Sequence, residues 1–211
     1  KGEIERLASC IVSVVDKISS PEHHVIKRFF PLLKEAREIS TSLEEELRMF
    51  LLAEEKDNRC DQAVDQFTHL RKMLEIIIDM CKENDIIPSM NTQLNDIKYF
   101  VGKGGHNNGS KPKEGVWPPV ISSYIWSMID ILQDGSHKVK DLNLHVSDYV
   151  VENNTPFLFR SCLYQIMELI RWYKDTEKKM LERKLIPPLY TIDREKKYQS
   201  NKNSQRITNS M

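Results

Sequence analysis

Apolar residues in this chain recur three and four positions apart almost throughout, which is the spacing of one face of a helix. Residues 3–18 place Ile4, Leu7, Ile11, Val14, Val15 and Ile18 on one stripe. Ser20 then offers a cap, and Pro21 stands at the first helical position, where a missing N–H costs nothing. The helix that follows, 21–39, carries Val25, Ile26, Phe29, Leu32, Leu33 and Ala36 on its inner side. Pro31 falls inside this pattern and predicts a kink or a split, because its ring clashes with the preceding turn. Thr41 and Ser42, with Glu44 and Glu45 three residues on, form a capping box in either register. From 43 the pattern continues to about residue 84. It weakens over AEEKDNR, 53–59, where a break or a solvent-bridging stretch is expected. It resumes at Cys60, Val64, Phe67, Leu70, Leu74, Ile77 and Cys81, with Pro88 expected to stop it.

A short helix at 90–101 turns Leu94, Ile97, Phe100 and Val101 inward, and then the texture changes. Five of the seven glycines fall between 102 and 115, with Pro112, Pro118 and Pro119 close by. A helix at 119–133 follows, built on Val120, Ile121, Tyr124, Ile125, Met128, Ile129 and Leu132. Residues 136–152 fit either a strand or a helix. Helix is favoured, because a lone strand in a helical chain has no partner for its hydrogen bonds. Thr155-Pro156 opens a last helix, 156–186, that Pro187-Pro188 closes. No repeat of fixed period is present. The pattern thus predicts an all-α fold, an irregular multi-helix bundle of about seven or eight helices. It divides into an N-terminal helical lobe (1–101), a long Gly/Pro-rich loop (102–118), a C-terminal helical lobe (119–188) and a disordered basic tail or linker (189–211). The two lobes form one domain or hinge at the loop.

Composition sharpens this picture. Apolar residues make up 40% and charged residues 29%, a balance that suits helices with wide solvated faces. No apolar run approaches the ~20 residues of a membrane span; the densest, IIIDM at 76–80, contains Asp79. No membrane partner is therefore expected. Glu3, Glu5, Arg6, Asp16 and Lys17 within the first twenty residues argue against a signal peptide. The chain begins at Lys1, which reads as a segment of a longer protein. Cys10, Cys60, Cys81 and Cys162 form no C-x-x-C pair and sit among apolar residues. They are expected to be reduced and buried, which points to an intracellular location, cytoplasm or nucleus.

Candidate chemistry is sparse. GGHNNGSK at 104–111 lies one transposition from a phosphate-binding loop. Such a loop needs a strand before it and a helix directly after it. Here a helical segment precedes it and Pro112 follows Lys111, so the stretch reads as an ordinary loop. The histidines (His23, His24, His69, His106, His137 and His145) show no metal-ligand spacing, apart from Asp134 before His137 at a helix end. No motif of a catalytic residue or a bound cofactor is found, and the expectation is a non-catalytic protein without metal or cofactor. Glu44, Glu45, Glu46, Glu54 and Glu55 read as a solvated acidic face.

Two stretches remain as candidate partner surfaces. Val116, Trp117, Pro118 and Pro119 set an aromatic ring beside two prolines, a shape that binding grooves use, though a tryptophan just before a helix also packs as a staple. The charge distribution supplies the second. Residues 1–86 carry net −5 (13 basic, 18 acidic) and residues 156–211 net +6 (12 basic, 6 acidic). Lys178, Lys179, Arg183 and Lys184 on the last helix, with Arg194, Lys196 and Lys197 in the tail, are the candidate contacts for an anion or a nucleic acid. The leading expectation is a helical scaffold that binds another protein. The alternative is a nucleic-acid- or chromatin-associated module using the basic end.

Overall fold

The structure is a computed structural model, and it describes residues 2–56, 62–102, 109–135 and 146–193. Eight helices are present among them: α1 (Gly2–Ser19), α2 (Pro21–Ile39), α3 (Thr41–Lys56), α4 (Ala63–Glu83), α5 (Leu94–Gly102), α6 (Pro119–Gly135), α7 (Val146–Glu152) and α8 (Phe157–Leu181). Two three-residue strands, β1 (Ser110–Pro112) and β2 (Tyr190–Ile192), pair antiparallel. The all-α reading holds. No described helix is long and apolar enough to cross a membrane.

The α4 helix is the hub, with α3, α6, α7 and α8 packed around it. Its inner stripe of Phe67, Leu70, Met73, Leu74 and Ile77 is almost wholly shielded from water. Phe159 of α8 meets Phe67 and Phe50 edge-to-face, each at 6.2 Å, an arrangement that suits the quadrupoles of aromatic rings. Burying each such ring contributes about 2–3 kcal/mol. Asn84 at the end of α4 donates to the Tyr173 hydroxyl at 2.7 Å, satisfying the one polar atom of a fully buried ring.

Local signals explain most boundaries. The Ser20 hydroxyl accepts from the His23 N–H at 3.2 Å, and Pro21 opens α2 as the capping pattern requires. Pro31 does not split α2, which runs unbroken to Ile39. Pro31 and Lys27 both face solvent, so the carbonyl that loses its partner lies on the wet side of the helix. Of the stretch 53–59, where a break was expected, residues 53–56 belong to α3, and residues 57–61 lie outside the described residues. Residues 136–145 also lie outside, and 146–152 are helix, as favoured.

Left-handed residues rather than the prolines end two helices: α4 stops at Glu83, close to the expected 84, and α8 at Leu181, short of the expected 186. Asp85 (φ 54°) closes α4 three residues before Pro88, and Arg183 (φ 57°) closes α8 four residues before Pro187. In each case the next N–H reaches back one turn: Ile86 to the Cys81 carbonyl and Lys184 to the Lys179 carbonyl, both at 2.8 Å. Left-handed caps, with Asp and Arg where glycine is usual, therefore set these ends before the prolines do.

The structure corrects two further expectations. Leu189–Asp193, assigned by composition to the tail, are held by backbone bonds. The Leu189 N–H donates to the Asp85 carbonyl at 2.8 Å, β2 pairs with β1, and the Asp193 N–H donates to the Gly109 carbonyl at 2.9 Å. Each strand is the other's partner, which is why both form in a helical chain. Cysteines do not behave alike either. Cys81 and Cys162 are buried, but Cys10 is exposed, because nothing described packs over the side of α1 that carries it. Cys60 lies outside the described residues.

Candidate interaction surfaces

Val116 and Trp117 lie at the junction of the glycine-rich loop and α6. Gly115 (φ 76°) turns the chain there, in a conformation a side chain resists. Val116 is 3% exposed, and Trp117 is half-buried against the core. The Trp117 ring stacks at 4.2 Å, tilted by 32°, on Trp172 of α8, whose Nε1 donates to the Val116 carbonyl at 3.3 Å. The two tryptophans thus clamp the loop to α8. Trp117 Nε1 is buried with no hydrogen-bond partner among the described residues. Only Pro118 and Pro119 of this group lie open to solvent. The stretch is chiefly a staple.

Ser110 and Lys111 of GGHNNGSK lie in β1, and no helix follows them directly. Residues 104–108 lie outside the described residues. Ser110 is buried beside Asn91, with hydroxyl and amide 3.5 Å apart. The phosphate-loop geometry is not present in the described part.

The described part of the basic C-terminal stretch is open, but acids lie close to it. Lys178, Lys179, Arg183 and Lys184 are all exposed. Lys179 pairs with Asp175 at 2.5 Å, and Lys184 with Glu182 at 2.6 Å. Lys174, one turn before Lys178, bridges Glu177 and Glu38 of α2, the latter at 3.2 Å. Acids on α8, on α2 and just past the end of α8 therefore offset part of the local charge. Arg194, Lys196 and Lys197 lie outside the described residues.

The acidic cluster is only in part a solvated face: Glu45 is exposed, the Glu55 side chain lies outside what the structure describes, and Glu44, Glu46 and Glu54 are drawn into ion pairs. Glu46 is 8% exposed and receives Lys72 Nζ on one oxygen, while His69 Nδ1 lies 2.6 Å from the other. Burial pushes its carboxyl up, but the hydrogen bonds and charges of Lys72 and His69 outweigh that and leave it below the ordinary carboxylate value. Glu54 takes Arg160 of α8 at 2.5 Å, and Glu44 lies 3.7 Å from Arg37. These carboxylates tie α3 to α4, α8 and α2. Sequence spacing could not show it, because every partner is on another helix. No group of three or more potential metal ligands occurs among the described residues.

One open apolar surface among the described residues was not singled out by the motifs. Leu7, Ile11, Val12, Val14 and Val15 of α1 are each more than half exposed (65, 55, 58, 51 and 55%). Every α1 side chain that the structure places is exposed, and α1 touches only α2 to an appreciable extent. Leu7, Ile11, Val14 and Val15 of the predicted stripe therefore face water. Two apolar-floored grooves lie elsewhere: Ile26, Phe30 and Leu33 floor one of about 520 Å³ between α2 and α3, and Phe157 and Tyr164 line one of about 760 Å³ between α6 and α8. No family model matches this chain, and no match is found among curated proteins or solved structures.

Proposed function

We propose that this chain is a helical module that binds another protein, with the outer stripe of α1 as its docking face. One observation carries the reading: five apolar side chains of a single helix, each more than half exposed. Monomeric proteins seldom leave so continuous an apolar surface in water, and such patches mark sites of association. The rest of the molecule suits a rigid platform, since the core on α4 is closed and aromatic and helix-to-helix ion pairs fasten its rim. The partner meets the module in the cytoplasm or nucleus, in keeping with free thiols at Cys81 and Cys162.

Affinity capture from lysate tests the proposal, using the wild-type chain and a Leu7→Glu/Ile11→Glu variant, with and without nuclease. A protein retained by the wild type after nuclease and lost by the variant is the expected result. Capture that depends on nucleic acid and ignores the α1 substitutions would overturn it and shift attention to Lys178, Arg183 and the basic residues beyond them.

A further inference from the structure

We infer that the groove between α6 and α8 takes an extended basic segment of a partner protein and holds an arginine or lysine side chain at its Glu168 end. The inference does not rest on the α1 reading, since it concerns a second surface with an occupant of different chemistry. The groove has a volume of about 760 Å³, and Phe157 and Tyr164 stand on its α8 side, 73 and 60% exposed. Tyr124 lines it from α6, and Met167 is half-buried beside them. Among the described residues no other ring packs on these three, and no cation of this chain lies over them. Their faces, which carry the negative side of the ring quadrupole, are therefore unused.

The charges at the rim decide what meets those faces. Arg160 and Glu168 are the charged residues that line the groove. Arg160 is already neutralised, since its Nε lies 2.5 Å from Glu54 Oε2. Glu168 is exposed and has no ion pair among the described residues; Arg171, one turn further along α8, lies outside the groove and does not pair with it. One uncompensated carboxylate remains, and it lies beside two of the rings. Trp117 meets Trp172, and Ser127 Oγ meets Gln165 Oε1 at 3.3 Å, so α6 runs antiparallel to α8 and Tyr124 falls between these levels, near Glu168. Tyr164 precedes Glu168 by one turn on the same side of α8. Two aromatic rings and a carboxylate thus line this end together, a setting that favours a guanidinium or an ammonium group and repels an anion. Phe157 lies three turns from Glu168, about 16 Å along the helix. An extended chain covers that distance in about five residues. The segment therefore carries a basic residue for Glu168 and, four or five positions away, an apolar one for Phe157.

Heteronuclear NMR titration of the 211-residue chain with two synthetic peptides tests the inference. One is acetyl-Phe-Gly-Ser-Gly-Arg-amide, and the other has glutamate in place of the arginine. The arginine peptide should bind saturably, with a dissociation constant of about 0.1–1 mM, and shift signals of α6 and α8 around Tyr124, Tyr164 and Glu168. The glutamate peptide should bind about tenfold more weakly or not at all. Tyr164→Ala or Glu168→Gln should weaken the arginine peptide by about three- to tenfold. Glu168→Arg should abolish its binding and admit the glutamate peptide instead. Both positions are exposed, and circular dichroism of each variant checks that the fold is kept. Binding that never saturates, equal binding of the two peptides, or indifference to Glu168→Arg would each overturn the inference. A thymidine oligonucleotide that shifts the same residues more strongly than the arginine peptide would overturn it in favour of bases stacked on the rings. The Leu7→Glu/Ile11→Glu variant should bind the arginine peptide as the wild type does, so failure of the groove leaves the α1 reading standing, and loss of the peptide in that variant would show that the groove is not its site.

Discussion

Gly102 gives the sharpest test of how the helices are packed. It is the last residue of α5, and a Cβ there would lie 2.1 Å from Trp126 Cε3 and 2.8 Å from Cζ3 of α6. Both distances are below any real carbon contact, so an alanine forces something to move. The indole is poorly placed to yield. Lys98 Nζ sits 4.4 Å from its ring centroid while gripping both Asp130 oxygens, at 2.6 and 2.7 Å. Tyr99 packs on it edge-on at 5.8 Å. Overpacking of this kind costs about 1–3 kcal/mol. Helix propensity returns up to about 1 kcal/mol on replacing glycine by alanine, but less at the last residue of a helix. The sum is a loss of about 1–2 kcal/mol, or about 2–8 °C in Tm for a chain of this length. Thermal and urea unfolding of Gly102→Ala, Trp126→Leu and the double variant measure it. Trp126→Leu removes the obstacle, so alanine at 102 should cost much less in that background, with a coupling of about 1 kcal/mol or more. A neutral Gly102→Ala, or two strictly additive losses, would refute the packing argument.

Three other predictions follow from single sites. In the folded chain a thiol-reactive disulfide reagent should modify Cys10 rapidly and spare Cys81 and Cys162, since burial pushes the Cys162 thiol up to about 12 and raises Cys81 as well. Peptide mapping reads this, and labelling of the two buried thiols at the rate of Cys10 would count against it. The lowered pKa of Glu46 contributes stability that is fully present above its ordinary value of 4.5 and is lost as pH falls through the folded value. Urea unfolding should therefore find Glu46→Gln weaker than wild type near neutral pH and equal to it in strong acid, whereas a gap independent of pH would refute the linkage. Arg183 holds a left-handed backbone angle without the freedom of glycine, so Arg183→Gly should raise stability by about 0.5–1 kcal/mol, and a loss would show that its side chain matters more than its backbone.

How much of this was legible in the sequence depends on the range of the interaction. Periodicity and caps are local, and they predicted most helices and the Ser20-Pro21 start. The end of α8 was misplaced, because Arg183 stops the helix before Pro187 does and carries no glycine signal, whereas α4 ends at Glu83, close to the expected 84. The inward or outward sense of α1 was not legible from amphipathicity, since a stripe at helical spacing looks the same whether a core or a partner covers it. The bridges from Glu46 to Lys72 and from Glu54 to Arg160 span 26 and 106 residues, beyond any spacing rule.

The pairing of β1 with β2 changes how the basic tail has to be examined. Composition made Pro188 the natural place to cut, since few apolar residues follow. Leu189, however, is 1% exposed, its N–H is held by Asp85, and the Tyr190 hydroxyl donates to the Asp85 carboxylate at 3.3 Å. A cut at Pro188 would therefore remove a core side chain, strip β1 of its partner and release the end of α4. Burying a leucine contributes about 2 kcal/mol by itself, so lost binding in that truncation could come from lost stability. A cut after Asp193 leaves the ladder whole and removes Arg194, Lys196 and Lys197, which separates the charge of the tail from the fold that carries it. If binding to an anionic partner and its salt dependence survive the later cut but not the earlier one, the short strand is responsible and the charge is not.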